Sequence, residues 1–258
     1  SQSEVATVDA RLGMAALAIL FVGGVVTLGL EVNSMHLLAV VAGNSVYAFA
    51  LMLATFLAGL GLGSYAGERL MKQFSRLDLV AWSQCGVAFA IGVTAQTWDD
   101  RPAYFSSFEL YQLYLTFTAR ETVRAMVCAT AMLPAAFFIG MSYPAAMSLA
   151  SDWLSPQGGA RGFGLASGLN TLGNILGVVL IGFWLLPAFG SRNSSLVLAL
   201  VALGLGLLAL VVNTKHSAES NGMRIQNTLR WVPRLAAGAV LRVFPSQWNY
   251  DDLATGSN

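Results

Sequence analysis

The side chains in this sequence that could do chemistry inside an apolar environment are few, and most of them are amides. Glu31 closes an apolar run in LGLEVNSMHLL with no Lys or Arg beside it. Asn44, Ser45 and Tyr47 open a second apolar run, Gln84 sits within a third, and Asn170, Thr171 and Asn174 lie in a fifth. Asn170 and Asn174 are one helical turn apart and share a face. A carboxylate near hydrocarbon is costly unless it is protonated, paired or wetted. Glu31 is therefore either a functional polar group or the polar end of a helix at headgroup depth. For the two asparagines the alternatives are a polar path and hydrogen bonding between helices.

Other chemistries find no residues to carry them. Cys85 and Cys128 lie in apolar stretches, without a CxxC or CxxH neighbour, and read as small buried hydrophobes. His36 and His216 are isolated, so neither a metal site nor a triad is expected, and no cofactor is evident. There is no Walker loop, no HExxH and no GxSxG. The run GLGLGSYAG (Gly59–Gly67) is glycine-rich, but it ends an apolar stretch and does not follow a soluble strand. No catalytic residue is expected in this chain.

These groups must be positioned by elements that live in lipid. Of the 258 residues only 10% are charged, the mean hydropathy is +0.64, and the net charge is +1. A soluble domain usually carries about 25% charged residues. The balanced charge gives no global attraction to nucleic acid. Six stretches are long and apolar enough to span a bilayer, at about residues 11–31, 45–66, 78–97, 124–148, 163–188 and 194–213. The expected fold is an all-α polytopic bundle of about six membrane helices (residues 11–213), after a short N-terminal tail (1–10). No cleavable leader is expected before the first span.

Loop charges give an orientation. Arg11, the group Arg69, Lys72 and Arg76, Arg161 and the basic tail put ten basic residues on one side, against four on the other. The positive-inside rule then places both termini in the cytoplasm of a multi-pass, inner-membrane protein. The third connection carries Trp98, Tyr104, Phe105, Phe108, Tyr111, Tyr114 and Phe117, and its segment from Ser107 to Thr118 reads as an amphipathic stretch on the outer interface. It serves as an anchor there, or as a lid or docking surface. The tail (214–258) alternates Arg224, Arg230, Arg234 and Arg242 with apolar residues, as a basic amphipathic helix on the membrane surface does. It then turns polar and is expected to lead into a further domain.

Packing signals are the clearest. Gly59, Gly63 and Gly67 recur every four residues, as do Gly164 with Gly168 and Gly173 with Gly177. Without side chains they let helix backbones approach, which supplies attraction where lipid removes the hydrophobic drive. Pro134 and Pro144 fall within the fourth span, and Gly140 with Pro144 is a candidate hinge.

Several of these segments resemble the membrane domain of membrane-bound spermidine-synthase-like proteins, in which a multi-helix membrane part precedes a cytoplasmic aminopropyltransferase domain. Asn44–Leu70 is similar to that family's second helix. Glu31 matches an acidic residue that ends its first. Gly140 and Pro144 match its Gly-x-x-x-Pro segment. Asn170, Thr171, Gly173, Gly177, Leu186, Pro187 and Gly190 match its fifth helix. The resemblance implies a fused soluble partner domain whose catalytic residues lie outside this chain. The loop GSYAGERLMKQFSR also resembles the loop after the second helix of major facilitator transporters, with Glu68-Arg69 in place of Asp-Arg. Spans two and five share Asn or Ser near the entrance followed by spaced glycines, as two related triplets of spans would. Three functions follow as expectations. One is an anchor, regulator or subunit bound to lipid and to a protein partner or fused domain. The second is a facilitator-like transport module for a small solute, a cation among the candidates, acting as a homo-oligomer and using Glu31, Asn44, Asn170 and Asn174 as a polar path. The third is a structural accessory subunit.

Overall fold

In hydrocarbon no water is present to satisfy backbone N–H and C=O groups, so apolar runs of this length must become helices. The computed structural model describes residues 2–42, 45–96, 116–154 and 160–219. Among these are α1 (Gln2–Ala42), α2 (Val46–Leu70), α3 (Arg76–Gln96), α4 (Phe117–Leu154) and α5 (Ala160–Val179). A π-helical stretch, Leu180–Leu185, then leads into α6 (Leu186–Glu219). Asn44, most of the aromatic connection and the basic tail with Arg224, Arg230, Arg234 and Arg242 lie outside the described residues.

Among the described residues five helices are long and apolar enough to cross a membrane, which makes this a multi-pass membrane protein. The last of them, Ala160–Asn213, covers 54 residues. A straight helix of that length would run about 80 Å, against a hydrocarbon core of about 30 Å. It is not straight. Gly190 has φ 72° and ψ 172°, a conformation closed to side-chain-bearing residues, and the chain reverses there. Ile181 and Leu198 consequently pack into one cluster, while Ala166, Leu205 and Ala209 belong to another. Six membrane-length segments result, as the hydropathy implies.

The boundaries differ from the sequence expectation at two spans. α1 does not stop at Glu31 but continues to Ala42, so Glu31 does not close the helix. The extension is held by packing: Leu38 is fully buried against a cluster containing Phe56, Met52 and Ala131, and Asn33 is fixed by Ser195 from α6. α4 likewise exceeds its expected span at both ends. Its start is stapled to α2 by an edge-to-face contact of Tyr47 with Phe117, centroids 5.5 Å apart.

The hinge expected at Gly140 and Pro144 is not a break, because α4 runs unbroken through both prolines. Pro144 cannot donate to the carbonyl of Gly140, four residues earlier. That freed carbonyl accepts instead from the Ser64 hydroxyl of α2, at 3.2 Å. Gly140 is small because the Leu60 backbone of α2 lies against it. The pair forms a docking point for a neighbouring helix. Ser64→Ala is expected to orphan this carbonyl and cost about 1 kcal/mol, read as a drop in unfolding free energy in bicelles. An unchanged stability would show the carbonyl finding another donor.

Glycine seams hold the outer helices. α2 packs on α4, and α5 on α1. Gly59, Gly63 and Gly67 face Ala136, Phe137 and Met141 so closely that an added Cβ would collide with each. Gly173 and Gly177 lie in the same way on the carbonyls of Phe21 and Val25. Gly164 and Gly168, by contrast, have nothing within 4 Å and face outward. The inner helices α1, α3, α4 and α6 enclose the core, with α3 the most enclosed.

Candidate polar site within the bundle

Polar side chains buried among apolar helices must be hydrogen-bonded or carry a cost of about 1–3 kcal/mol each. The few present here therefore report where the bundle tolerates polarity. Gln84 of α3 is 3% exposed. Its Nε2 donates to Ser142 Oγ of α4 at 3.2 Å, and the Ser142 hydroxyl donates in turn to the Ile139 carbonyl at 2.8 Å. Gln84 Oε1 is buried and has no protein donor.

A cavity of about 30 Å³ lies beside this amide, lined by Thr27, Gln84, Ser142, Tyr143 and Asn170 among apolar neighbours. Four helices supply these groups: α1, α3, α4 and α5. The volume suits roughly one water molecule. Thr27 donates to the Gly23 carbonyl of its own helix at 2.7 Å, which leaves its hydroxyl oxygen able to accept. Tyr143 lies beside Ser167 of α5. Asn170 and Asn174 both lie against Gly24, and the buried Asn174 Oδ1 also has no protein partner. No charged side chain lines the cavity. Its polar lining is made of neutral hydroxyl and amide groups that can both donate and accept.

Two further polar contacts flank it along the bundle. Toward the end where α1 finishes, Asn33 Nδ2 donates to Ser195 Oγ at 2.7 Å, beside a second cavity of about 30 Å³. Asn33 is 1% exposed and its Oδ1 has no protein partner. Toward the end where α1 begins, Asn213 Nδ2 donates to Asp78 Oδ1 at 2.5 Å. Ser75 also caps α3: its hydroxyl accepts from the Asp78 N–H at 3.1 Å and donates to Asp78 Oδ2 at 2.7 Å. Arg76 pairs with Asp152 at 2.6 Å on the exposed rim.

Of the expected polar path, the structure brings Asn170 and Asn174 together and sets Asn170 on the cavity. Glu31 is half-buried and lines none of the cavities described here. Gln84, Ser142 and Tyr143 are polar residues within apolar runs, but nothing in their spacing links the two helices that carry them. Asn33 follows Glu31 by two positions, and its role depends on a partner 162 residues away.

No family model, no curated protein and no solved structure matches this chain.

Proposed function

We propose that this chain is a facilitator-like membrane module that takes a small hydrogen-bond-donating solute, such as an amine, at the cavity beside Gln84. The observation that carries this is the buried Gln84 Oε1 without a protein donor, on a residue that lines a cavity to which four helices contribute polar groups. A lipid-facing bundle gains nothing from an unsatisfied interior amide, and each such group invites a ligand role. The absence of charge on the lining favours neutral solutes or single cations over anions. The basic loops favour both termini in the cytoplasm of an inner membrane.

Uptake of radiolabelled methylamine into proteoliposomes tests this reading. Saturable uptake is expected, with Gln84→Leu lowering it at least tenfold, about 1.4 kcal/mol of lost interaction. Glu31→Gln is expected to leave it within about twofold, since Glu31 lies off the cavity. Uptake that is absent, or equal in the parent and Gln84→Leu, contradicts the reading.

A second reading makes the bundle the membrane part of a larger assembly of the spermidine-synthase-like kind, with the tail as connector. The basic-apolar alternation from Arg224 to Arg242 favours it. Purification from native membrane with a soluble aminopropyltransferase partner supports that reading; isolation of the bundle alone under mild detergent counts against it.

A further inference from the structure

The glycine contacts contain a regularity that the individual seams do not explain. Gly63 meets the Phe137 carbonyl, and Gly173 meets the Phe21 carbonyl. Gly67 meets that of Met141, and Gly177 that of Val25. Gly140 meets that of Leu60, and Gly24 that of Asn170. One spacing of 116 residues separates Phe21 from Phe137, Gly24 from Gly140 and Val25 from Met141. One spacing of 110 residues separates Leu60 from Asn170, Gly63 from Gly173 and Gly67 from Gly177. Each of these three contacts between α2 and α4 thus has a counterpart between α5 and α1, in register.

Burial repeats at the same spacings. Ala16, Ile19, Leu20 and Val26 of α1 correspond to Met132, Ala135, Ala136 and Ser142 of α4, and all eight are buried. Met52 and Phe56 of α2 correspond to Gly162 and Ala166 of α5, again all buried. On α3, a spacing of 118 relates the buried Val80, Ala81 and Gln84 to the buried Leu198, Ala199 and Ala202 of α6. The helix pairings are closed under the exchange: α1 with α5 becomes α4 with α2, and α3 with α4 becomes α6 with α1. Three membrane-length segments separate corresponding helices, so the two copies point in opposite directions. Their symmetry axis lies in the membrane plane.

The cavity sits on that axis. Three corresponding pairs line it from both sides: Gly23 with Ile139, Val26 with Ser142, and Thr27 with Tyr143. Polarity breaks the symmetry there. Gln84 corresponds to Ala202, Ser142 to Val26, and Asn170 to Leu60. The backbones repeat, while the hydrogen-bonding groups are specific to one side.

We propose that the chain is two inverted copies of a three-helix unit, and that they rock against each other so that the axial cavity opens to the two sides of the membrane in turn. The inference rests on the solute-site reading for its purpose, not for its geometry. Inverted repeats supply such motion because each copy can take the conformation of the other, with the site held at mid-depth. The state seen here has both glycine seams closed. The polar contacts at its two ends join opposite copies. Asn33–Ser195 ties α1 to α6 at one end, and Asp78–Asn213 ties α3 to α6 at the other. Removing one contact favours opening at that end alone.

The test uses the full chain with Cys85 and Cys128 replaced by Ser and with Ala146→Cys as a reporter in the cavity lining, reconstituted in vesicles of known sidedness. A membrane-impermeant maleimide is applied from either side. Slow labelling from both sides is expected for the parent. Ser195→Ala with Asn33→Ala is expected to speed labelling at least tenfold from the side where α1 ends. Asn213→Ala with Asp78→Ala does so from the opposite side. The single substitutions Ser195→Ala and Asn213→Ala replace either double variant that does not fold. Acceleration from the same side in both cases, or no acceleration in folded variants, overturns the rocking mechanism. Labelling needs no solute, so a failed uptake assay with side-specific labelling would remove the solute reading alone.

Discussion

Replacing Gly63 by leucine is expected to leave almost no correctly packed protein in the membrane. A Cβ at this position runs into the Phe137 carbonyl, and the Met141 amide nitrogen is 2.9 Å from it. Both obstacles are backbone of an unbroken helix, so no side-chain rotamer relieves the clash. Overpacking usually costs about 1–3 kcal/mol where neighbours can adjust. Here α2 must separate from α4 as a body, so the loss should reach or exceed the top of that range. The Gly59 and Gly67 contacts and the Ser64 hydrogen bond would go with it. Gly61→Leu is the matched control: it is two residues away on the same helix, with nothing within 4 Å. It should fold as the parent does. Size-exclusion profiles and unfolding midpoints in mild detergent check both, and equal behaviour of the two variants would show that the seam does not hold α2.

Gly190→Ala is expected to cost about 1–3 kcal/mol through the backbone alone. Its φ of 72° and ψ of 172° lie where an L side chain is strained, and no neighbouring atom stands within 4 Å to add a clash. The substitution also biases the chain toward continuing the helix before it, against the reversal that places Leu198 and Ala199 in one cluster with Ile181. Thermal unfolding of the purified variant measures the loss. Gly204→Ala is equally open, lies within helix, and should be neutral or mildly stabilising.

These two glycines also show what was legible from residues alone. Gly63 announced itself by four-residue spacing, because close helix packing in lipid selects small residues at helical period. Gly164 and Gly168 have the same spacing and pack on nothing among the described residues, since spacing cannot tell an inner face from an outer one. The end of α1 was misplaced because Glu31 is a polar punctuation mark in sequence, while the helix is carried on by Leu38 packing and by the Asn33–Ser195 bond. Pro144 suggested a break because the donor that rescues the Gly140 carbonyl belongs to another helix. The paired triplets were visible only as shared Asn or Ser and spaced glycines in spans two and five. The first and fourth spans share just Phe21 with Phe137 and Gly24 with Gly140 at the contact positions, so backbone contacts conserve a symmetry that side-chain identity has mostly lost. The site itself was half legible. Asn170 and Asn174 stood out as a pair, whereas Gln84 acquires meaning only once Ser142 and Asn170 are brought beside it from other helices.

The site can be seen directly in a single-particle density map of the chain in lipid nanodiscs, at a resolution that shows ordered water. The account expects density for a bound donor within hydrogen-bond distance of Gln84 Oε1, between Thr27, Ser142 and Asn170. A Gln84 side chain turned away from the cavity, with its oxygen bonded to backbone and apolar groups filling the space, would contradict it.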